Sequence, residues 1–232
     1  MNRVKFGLIT ILIILVVILL PQPNEWLHRS SRTILRPIFP PAPDIRDKAV
    51  LESEAFWIAF QFFRAHRFEF KNRRYMTIID YSKPSTAKRL FLIDMESGEV
   101  KKMTVSHGRN SGWLYATKFS NDPDSFRSSK GFFRTGGKYY GKLGACMQLQ
   151  GLQKGVNDNA LSRGIIMHGA HYANPKSIVL NRGRLGRSLG CPAIPMELAE
   201  DVIDKIKNGS LLYIHAKAEG GPKVLASAPG AE

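Results

Sequence analysis

Fifteen consecutive residues, Phe6 to Leu20, hold Thr10 as their one polar side chain, and Arg3 and Lys5 stand just ahead of them. So aliphatic a run at the extreme N-terminus is poor material for a soluble core, and the fold has to be built downstream of it. Its length suits the apolar part of an export signal and falls short of the about 20 residues a spanning helix needs. No small-x-small cleavage site follows, and Trp26 suits an interfacial aromatic position. Residues 1–20 therefore fit either a cleaved signal peptide or an uncleaved inner-membrane anchor. Arg29, Arg32 and Arg36 on the far side keep a positive-inside argument from choosing. Both readings export the chain, to the periplasm or cell envelope.

From residue 21 to residue 44 the chain carries Pro21, Pro23, Pro37, Pro40, Pro41 and Pro43. Proline lacks a backbone donor and fixes φ, so this segment reads as a stiff, extended linker. Residues 45–217 are left for one compact domain, long enough to bury a core. The Gly-, Ala- and Pro-rich stretch 218–232 reads as a disordered tail. Apolar residues make up 44% and charged residues 23% of the chain, as in folded globular proteins, which excludes a disordered or fibrous class.

The net charge is +15, from 34 Lys and Arg against 19 Asp and Glu. That excess favours a polyanionic partner: nucleic acid, an anionic membrane face or an acidic wall polymer. The cations are dispersed, and no zinc-ligand spacing, RNA-binding aromatic signature or phosphate-cradling turn accompanies them. With an export segment in front, no nucleic acid is expected.

Ile45 to His66 reads as a single buried helix. Tyr75–Tyr81 and Lys88–Asp94 read as strands, and Glu96-Ser97-Gly98-Glu99 turns the chain into a third, Val100–Val105. Shorter strands are expected at Trp113–Thr117, Gly131–Thr135 and Met147–Gln150. Ile165–His168 reads as a buried strand ending at Gly169. Pro195–Lys207 reads as a helix stopped by Asn208-Gly209, with a final strand from Ser210 to Ile214. Many short strands and a few flanking helices predict a mainly β fold of the sandwich type.

Three segments carry chemistry: Ile165-Ile166-Met167-His168-Gly169-Ala170, Gly186-Arg187-Ser188-Leu189-Gly190-Cys191-Pro192-Ala193, and Ser129-Lys130-Gly131-Phe132-Phe133 upstream. A free thiol, with a pKa near 8.5, needs a base or a positive field to become a nucleophile at neutral pH. An imidazole takes the proton and then stabilises the thiolate. The tetrahedral intermediate needs backbone N–H donors, each worth about 3 kcal/mol of transition-state stabilisation, and a glycine before the nucleophile lets backbone come close. A strand histidine or a Ser-x-Gly-Cys stretch alone is more often structural; their combination in one exported domain points to a cysteine enzyme.

The combination resembles the L,D-transpeptidase (YkuD-like) family, whose signature is a histidine followed by a Ser/Thr-x-Gly-Cys box. The closer resemblance is to a murein L,D-transpeptidase branch with the box Gly-Arg-Ser-x-Gly-Cys-Pro-Ala, as at Gly186 to Ala193. Matching features also occur at Ala116-Thr117-Lys118-Phe119-Ser120-Asn121, Gly131 to Gly136, and Asn157-Asp158-Asn159-Ala160, so the resemblance spans roughly Arg74 to Ala216. It implies an L,D-transpeptidase-like β-sandwich and a cysteine-dependent reaction on peptidoglycan stem peptides, with no metal or nucleotide cofactor. In that reading Cys191 is the nucleophile, His168 the base, Gly190 and Cys191 supply oxyanion N–H groups, and Ser188 orders the box.

The chain departs from the commoner box at Leu189, where histidine is usual, and at Ala193, where arginine or asparagine is usual. A substrate carboxylate then needs another cation, and Arg187, Arg184 and Arg134 are the candidates, with Gly169 beside the base. His171 is a weaker candidate for the base, because it lies beyond the strand. Two cysteines in an exported chain suggest a disulfide by default. The motif argues against that for Cys191, which leaves Cys146 as a buried thiol or as an oxidation partner. An L,D-carboxypeptidase or cross-link hydrolase would use the same Cys/His site. A non-catalytic basic wall-binding module would dispense with Cys191. A papain-like protease lacks its local cysteine signature here.

Overall fold

The computed structural model describes residues 43–216. The apolar segment, nearly all of the proline-rich linker and the C-terminal tail lie outside them. Eight strands form one hydrogen-bonded sheet: β1 (Tyr75–Asp80), β2 (Leu90–Asp94), β3 (Val100–Met103), β4 (Gly131–Gly141), β5 (Gly144–Gly151), β6 (Ile166–Ala170), β7 (Ala193–Pro195) and β8 (Leu211–His215). Their order is β3-β2-β1-β8-β4-β5-β6-β7, with β1/β8 and β6/β7 parallel and the other neighbours antiparallel. Isolated bridges from Ser106 to Ala193 and from Gly108 to Ser188 join the chain after β3 to the β7 region. The two ends of the sheet are thereby tied to each other. The mainly β architecture expected from the sequence is the one observed.

The apolar runs in β1, β2 and β8 follow from burial on both faces. On one face Met76, Ile78, Phe91, Ile93, Leu211 and Tyr213 pack with helix α2 (Glu54–Ala65). Its buried Ala55, Phe56, Ala59, Phe60 and Phe63 recur at helical spacing. On the other face Ile79, Leu90, Leu92, Leu212 and Ile214 join Met147, Leu149 and Met167 beneath helix α4 (Met196–Ile206), through its Ala199, Val202, Ile203 and Ile206. The helix stops where expected, because Asn208 and Gly209 take φ of 65° and 98°.

Three local expectations are corrected. The segment Ile45–His66 is two helices, α1 (Lys48–Leu51) and α2, because Ser53 is extended and opens the second. Trp113–Thr117 is a loop, not a strand: Gly112 has φ of 152°, and the Ser111 carbonyl accepts from both Thr117 N–H and Lys118 N–H. A short helix, α3 (Ser177–Leu180), stands where no element was expected.

Gly169 shows why β6 and α4 can pack closely. A Cβ there would lie 2.8 Å from Met196 Sδ and 2.9 Å from the Ala199 Cβ. Gly169→Ala is expected to destabilise the domain by about 1–3 kcal/mol through overpacking, read as a lowered Tm.

Candidate active site

Strand β6 delivers His168 between two neighbours: Cys146 on β5 and Ala193 on β7 are its cross-strand partners. His168 is buried, and its Nδ1 lies 2.9 Å from the Gly169 carbonyl. A carbonyl can only accept, so Nδ1 carries the hydrogen and the neutral ring keeps its lone pair on Nε2. Two residues before Ala193 stands Cys191, and both Cys191 and His168 line one cavity of about 580 Å³.

The Gly190-Cys191 turn is held by serines. Ser188 Oγ donates to the Cys191 carbonyl at 2.6 Å and accepts from Gly190 N–H at 3.1 Å. Ser128 Oγ donates to the Gly190 carbonyl at 2.9 Å and accepts from Gly108 N–H at 2.9 Å. Ser188 is also tied through its backbone, its N–H donating to the His107 carbonyl and its carbonyl accepting from Arg109 N–H. Gly190 has φ of 130°, and a Cβ there would sit 3.0 Å from the Arg127 carbonyl oxygen and 3.1 Å from Ile165 Cδ1. Any other residue would be strained as well as crowded. Ser188 Oγ thus occupies the Gly190 N–H, one of the two donors expected for an oxyanion. Ser188→Ala is expected to lower kcat by about tenfold while leaving KM within about twofold, since it frees the turn that aims the sulfur.

Electrostatics favour a neutral resting pair. Burial raises the Cys191 thiol above its ordinary value, opposed by Ile166 N–H and the Arg163 charge. Burial likewise lowers His168 below its ordinary 6.5, opposed by the bond to Gly169. The thiol points to the Gly164 carbonyl, 3.7 Å from Sγ. Both shifts favour the uncharged forms, a protonated Cys191 thiol and a neutral His168 ring, on the same cavity.

Of the other candidates, Arg187 lines the cavity and donates to the Arg109 and Gly112 carbonyls at 2.8 and 3.1 Å. Arg184 sits over the Trp113 ring, 3.9 Å from its centroid, with Arg187 at 5.0 Å from the same ring. Arg134 does not line the cavity; it faces Glu69 at 3.5 Å. Gly169 also does not line it, and serves instead as the acceptor that orients His168. Exposed His171 follows β6 in a single 3₁₀ turn and does not line the cavity. Both cysteines are free, Cys146 buried on β5.

Sequence reasoning missed Arg163, Tyr172 and Asp124, which also line the cavity. Arg163 donates to the Ser120 and Arg127 carbonyls and to Ser129 and Ser125 Oγ, clamping the 120–129 loop beside the nucleophile's turn. In a chain with so many dispersed cations it had no distinguishing signal. Among the described residues, no group of three or more His, Cys, Asp or Glu side chains is placed to hold a metal ion.

Among solved structures, the chain is similar to an L,D-transpeptidase from Mycobacterium smegmatis, at 16% identity and a TM-score of 0.38, covering 62% of this chain and 59% of that one. It is similar to an L,D-transpeptidase from Mycobacterium tuberculosis H37Rv at 14% identity and a TM-score of 0.41, covering 62% and 58%. It is also similar to the helical cell shape determining protein Pgp2 from Campylobacter jejuni, at 17% identity and a TM-score of 0.38, covering 74% and 57%. The chain thus spans under two thirds of each of these proteins. No curated protein matches its sequence. A family model described as the L,D-transpeptidase catalytic domain matches residues 47–215, most of the chain and nearly all of its described part. The chain belongs to the L,D-transpeptidase catalytic domain family.

Proposed function

We propose that this protein is a peptidoglycan L,D-transpeptidase working through an acyl-enzyme on Cys191. The observation that carries the reading is that Cys191 and an imidazole whose tautomer the Gly169 carbonyl fixes line the same cavity. Cys191 Sγ attacks the carbonyl of the L-centre of the diamino acid in a stem tetrapeptide while His168 Nε2 takes the thiol proton. As the tetrahedral intermediate collapses, the C–N bond to D-alanine breaks and His168 returns that proton to the leaving amine. An amine of a second stem then attacks the thioester, passes a proton to His168, and the thiol is restored. Water in place of that amine gives the carboxypeptidase outcome. Cys191 N–H is the donor for the oxyanion.

Asp124 is the one carboxylate among the cavity-lining residues, and Arg187 lies on the same cavity. A side chain that ends in both an ammonium and a carboxylate, as a diamino acid's D-centre does, is complementary to that pair. Asp124→Asn is expected to raise KM for such a stem by about tenfold and to leave kcat within about threefold. A neutral-side-chain stem should show no change.

The cavity accounts for the acyl donor; the acceptor is decided by competition between amine and water. Incubation of the full chain with disaccharide-tetrapeptides, followed by mass spectrometry, tests the assignment. Cross-linked dimers that require Cys191 are the expected product. Tripeptides alone would make the protein an L,D-carboxypeptidase, and unchanged substrate would favour a wall-binding module. On this reading the enzyme works in the cell envelope, delivered by the segment 1–20. Among the described residues no helix is long and apolar enough to cross a membrane, and that segment lies outside them.

A further inference from the structure

A second feature stands beside the cavity and takes no part in the chemistry above. The stretch from residue 159 to residue 196 contains no Asp or Glu, yet it holds Arg163, Lys176, Arg182, Arg184 and Arg187. Within it, helix α3 presents Val179 and Leu180, each 86% exposed. Scattered exposed aliphatics are ordinary, but two adjacent ones at such exposure, rimmed by cations, are not.

The turn that presents them is built. Asn181 Nδ2 donates to the Ser177 carbonyl at 2.8 Å, and Gly183 N–H donates to the Ile178 carbonyl at 3.0 Å. Ser177 Oγ and Gly186 N–H both donate to the Tyr172 carbonyl, and Leu185 is fully buried just behind. Arg182 and Gly183 hold φ of 55° and 78°, which carries the chain sharply back after the aliphatic pair. Lys176 and Arg182 are exposed, and among the described residues neither forms an ion pair with a carboxylate.

We propose that the 176–183 turn is a membrane-docking knob that seats this domain on an anionic lipid surface, Val179 and Leu180 entering the headgroup layer between Lys176 and Arg182. Charge complementarity selects that occupant: exposed Lys176 and Arg182 bracket the aliphatic pair, and the nearby carboxylate of Glu197 is engaged by Asn174 Nδ2, which matches phosphatidylglycerol-type headgroups around a shallow apolar insertion. Two aliphatic side chains are too small a patch for a stable protein interface, which buries on the order of 800 Å² per partner. The knob hangs on Tyr172, which lines the cavity, so docking also fixes how the cavity mouth faces the bilayer. The proposal does not depend on the reaction assigned to Cys191.

Hydrogen exchange of the full chain on vesicles tests it, because a position-resolved readout separates the knob from any attachment through residues 1–20. On vesicles of phosphatidylglycerol and phosphatidylcholine, amides of 177–183 are expected to exchange about tenfold more slowly than in solution. On pure phosphatidylcholine they should not slow. Lys176→Glu with Arg182→Glu should remove the protection, as should Val179→Asp with Leu180→Asp, while exchange in the sheet stays unchanged and certifies the fold. Equal slowing on both vesicles, no slowing on either, or slowing that survives both double variants would overturn the proposal. Slowing that tracks protein concentration without lipid would assign the patch to a second copy of the chain and overturn it equally.

Discussion

Replacing Cys191 by alanine is expected to reduce turnover of disaccharide-tetrapeptides by about 10⁴-fold or more, with little change in Tm. In the proposed reaction every covalent step runs through this sulfur, and no other side chain lining the cavity is a comparable nucleophile: Ser188 Oγ already donates to the Cys191 carbonyl at 2.6 Å. The surrounding turn is held by Ser188, Ser128 and backbone bonds that alanine leaves intact, so circular dichroism of the variant should match the parent. Substrate binding should persist, because Arg187, Asp124 and Tyr172 remain on the cavity. Loss of binding along with turnover would mean the substitution had collapsed the site.

His168→Gln is expected to slow the same reaction by about 10²–10⁴-fold. Glutamine can still donate to the Gly169 carbonyl but offers no basic lone pair in place of Nε2. The sign of the pH dependence follows from the two shifts. Because burial lowers His168, the base stays unprotonated down through its ordinary 6.5, and the acid limb of kcat/KM in the parent should fall below that pH. Because burial raises Cys191, the thiol stays protonated through neutral pH. Reaction with iodoacetamide, which provides no carbonyl to draw the proton across, should therefore keep climbing with pH through neutrality and past the ordinary thiol value before it levels off. A resting thiolate–imidazolium pair would instead give fast alkylation that is flat across neutral pH, and that result would contradict the neutral-pair description.

The parts of this arrangement that the sequence made legible are those with a local cause. Strands β1, β2 and β8 announce themselves because burial on both faces leaves few polar positions, and α4 because its apolar stripe ends at Asn208-Gly209. That His168 and Cys191 would share one cavity was legible for a chemical reason: a buried strand delivering imidazole and a glycine-cysteine turn have few other joint uses. What stayed hidden is what depends on long-range pairing. Strand β7 is only Ala193–Pro195, and its proline is tolerated because β7 ends the sheet order, where a missing N–H breaks no outer ladder. Its identity as a strand comes from β6, some 25 residues earlier, and from Ser106 across the bridge. Ser128 and Arg163 were invisible for the same reason. Each is an ordinary polar residue in sequence, and each acquires its part only when the 120–129 loop is laid against the turn at Gly190. The Trp113–Thr117 segment misled because aromatic and β-branched residues suit strands, whereas here Ser111 draws the chain back on itself.

The central claim is that Cys191 carries the acyl group. Intact-mass analysis of the full chain, quenched with acid during reaction with a tetrapeptide stem or after exposure to a carbapenem, tests it most directly. One adduct per chain is expected, mapped by peptide digestion to the segment containing Cys191 and absent from the alanine variant; for the stem, its mass is that of the donor after loss of D-alanine. An adduct on Cys146, or turnover that continues with no covalent species on Cys191 at any time point, would contradict it.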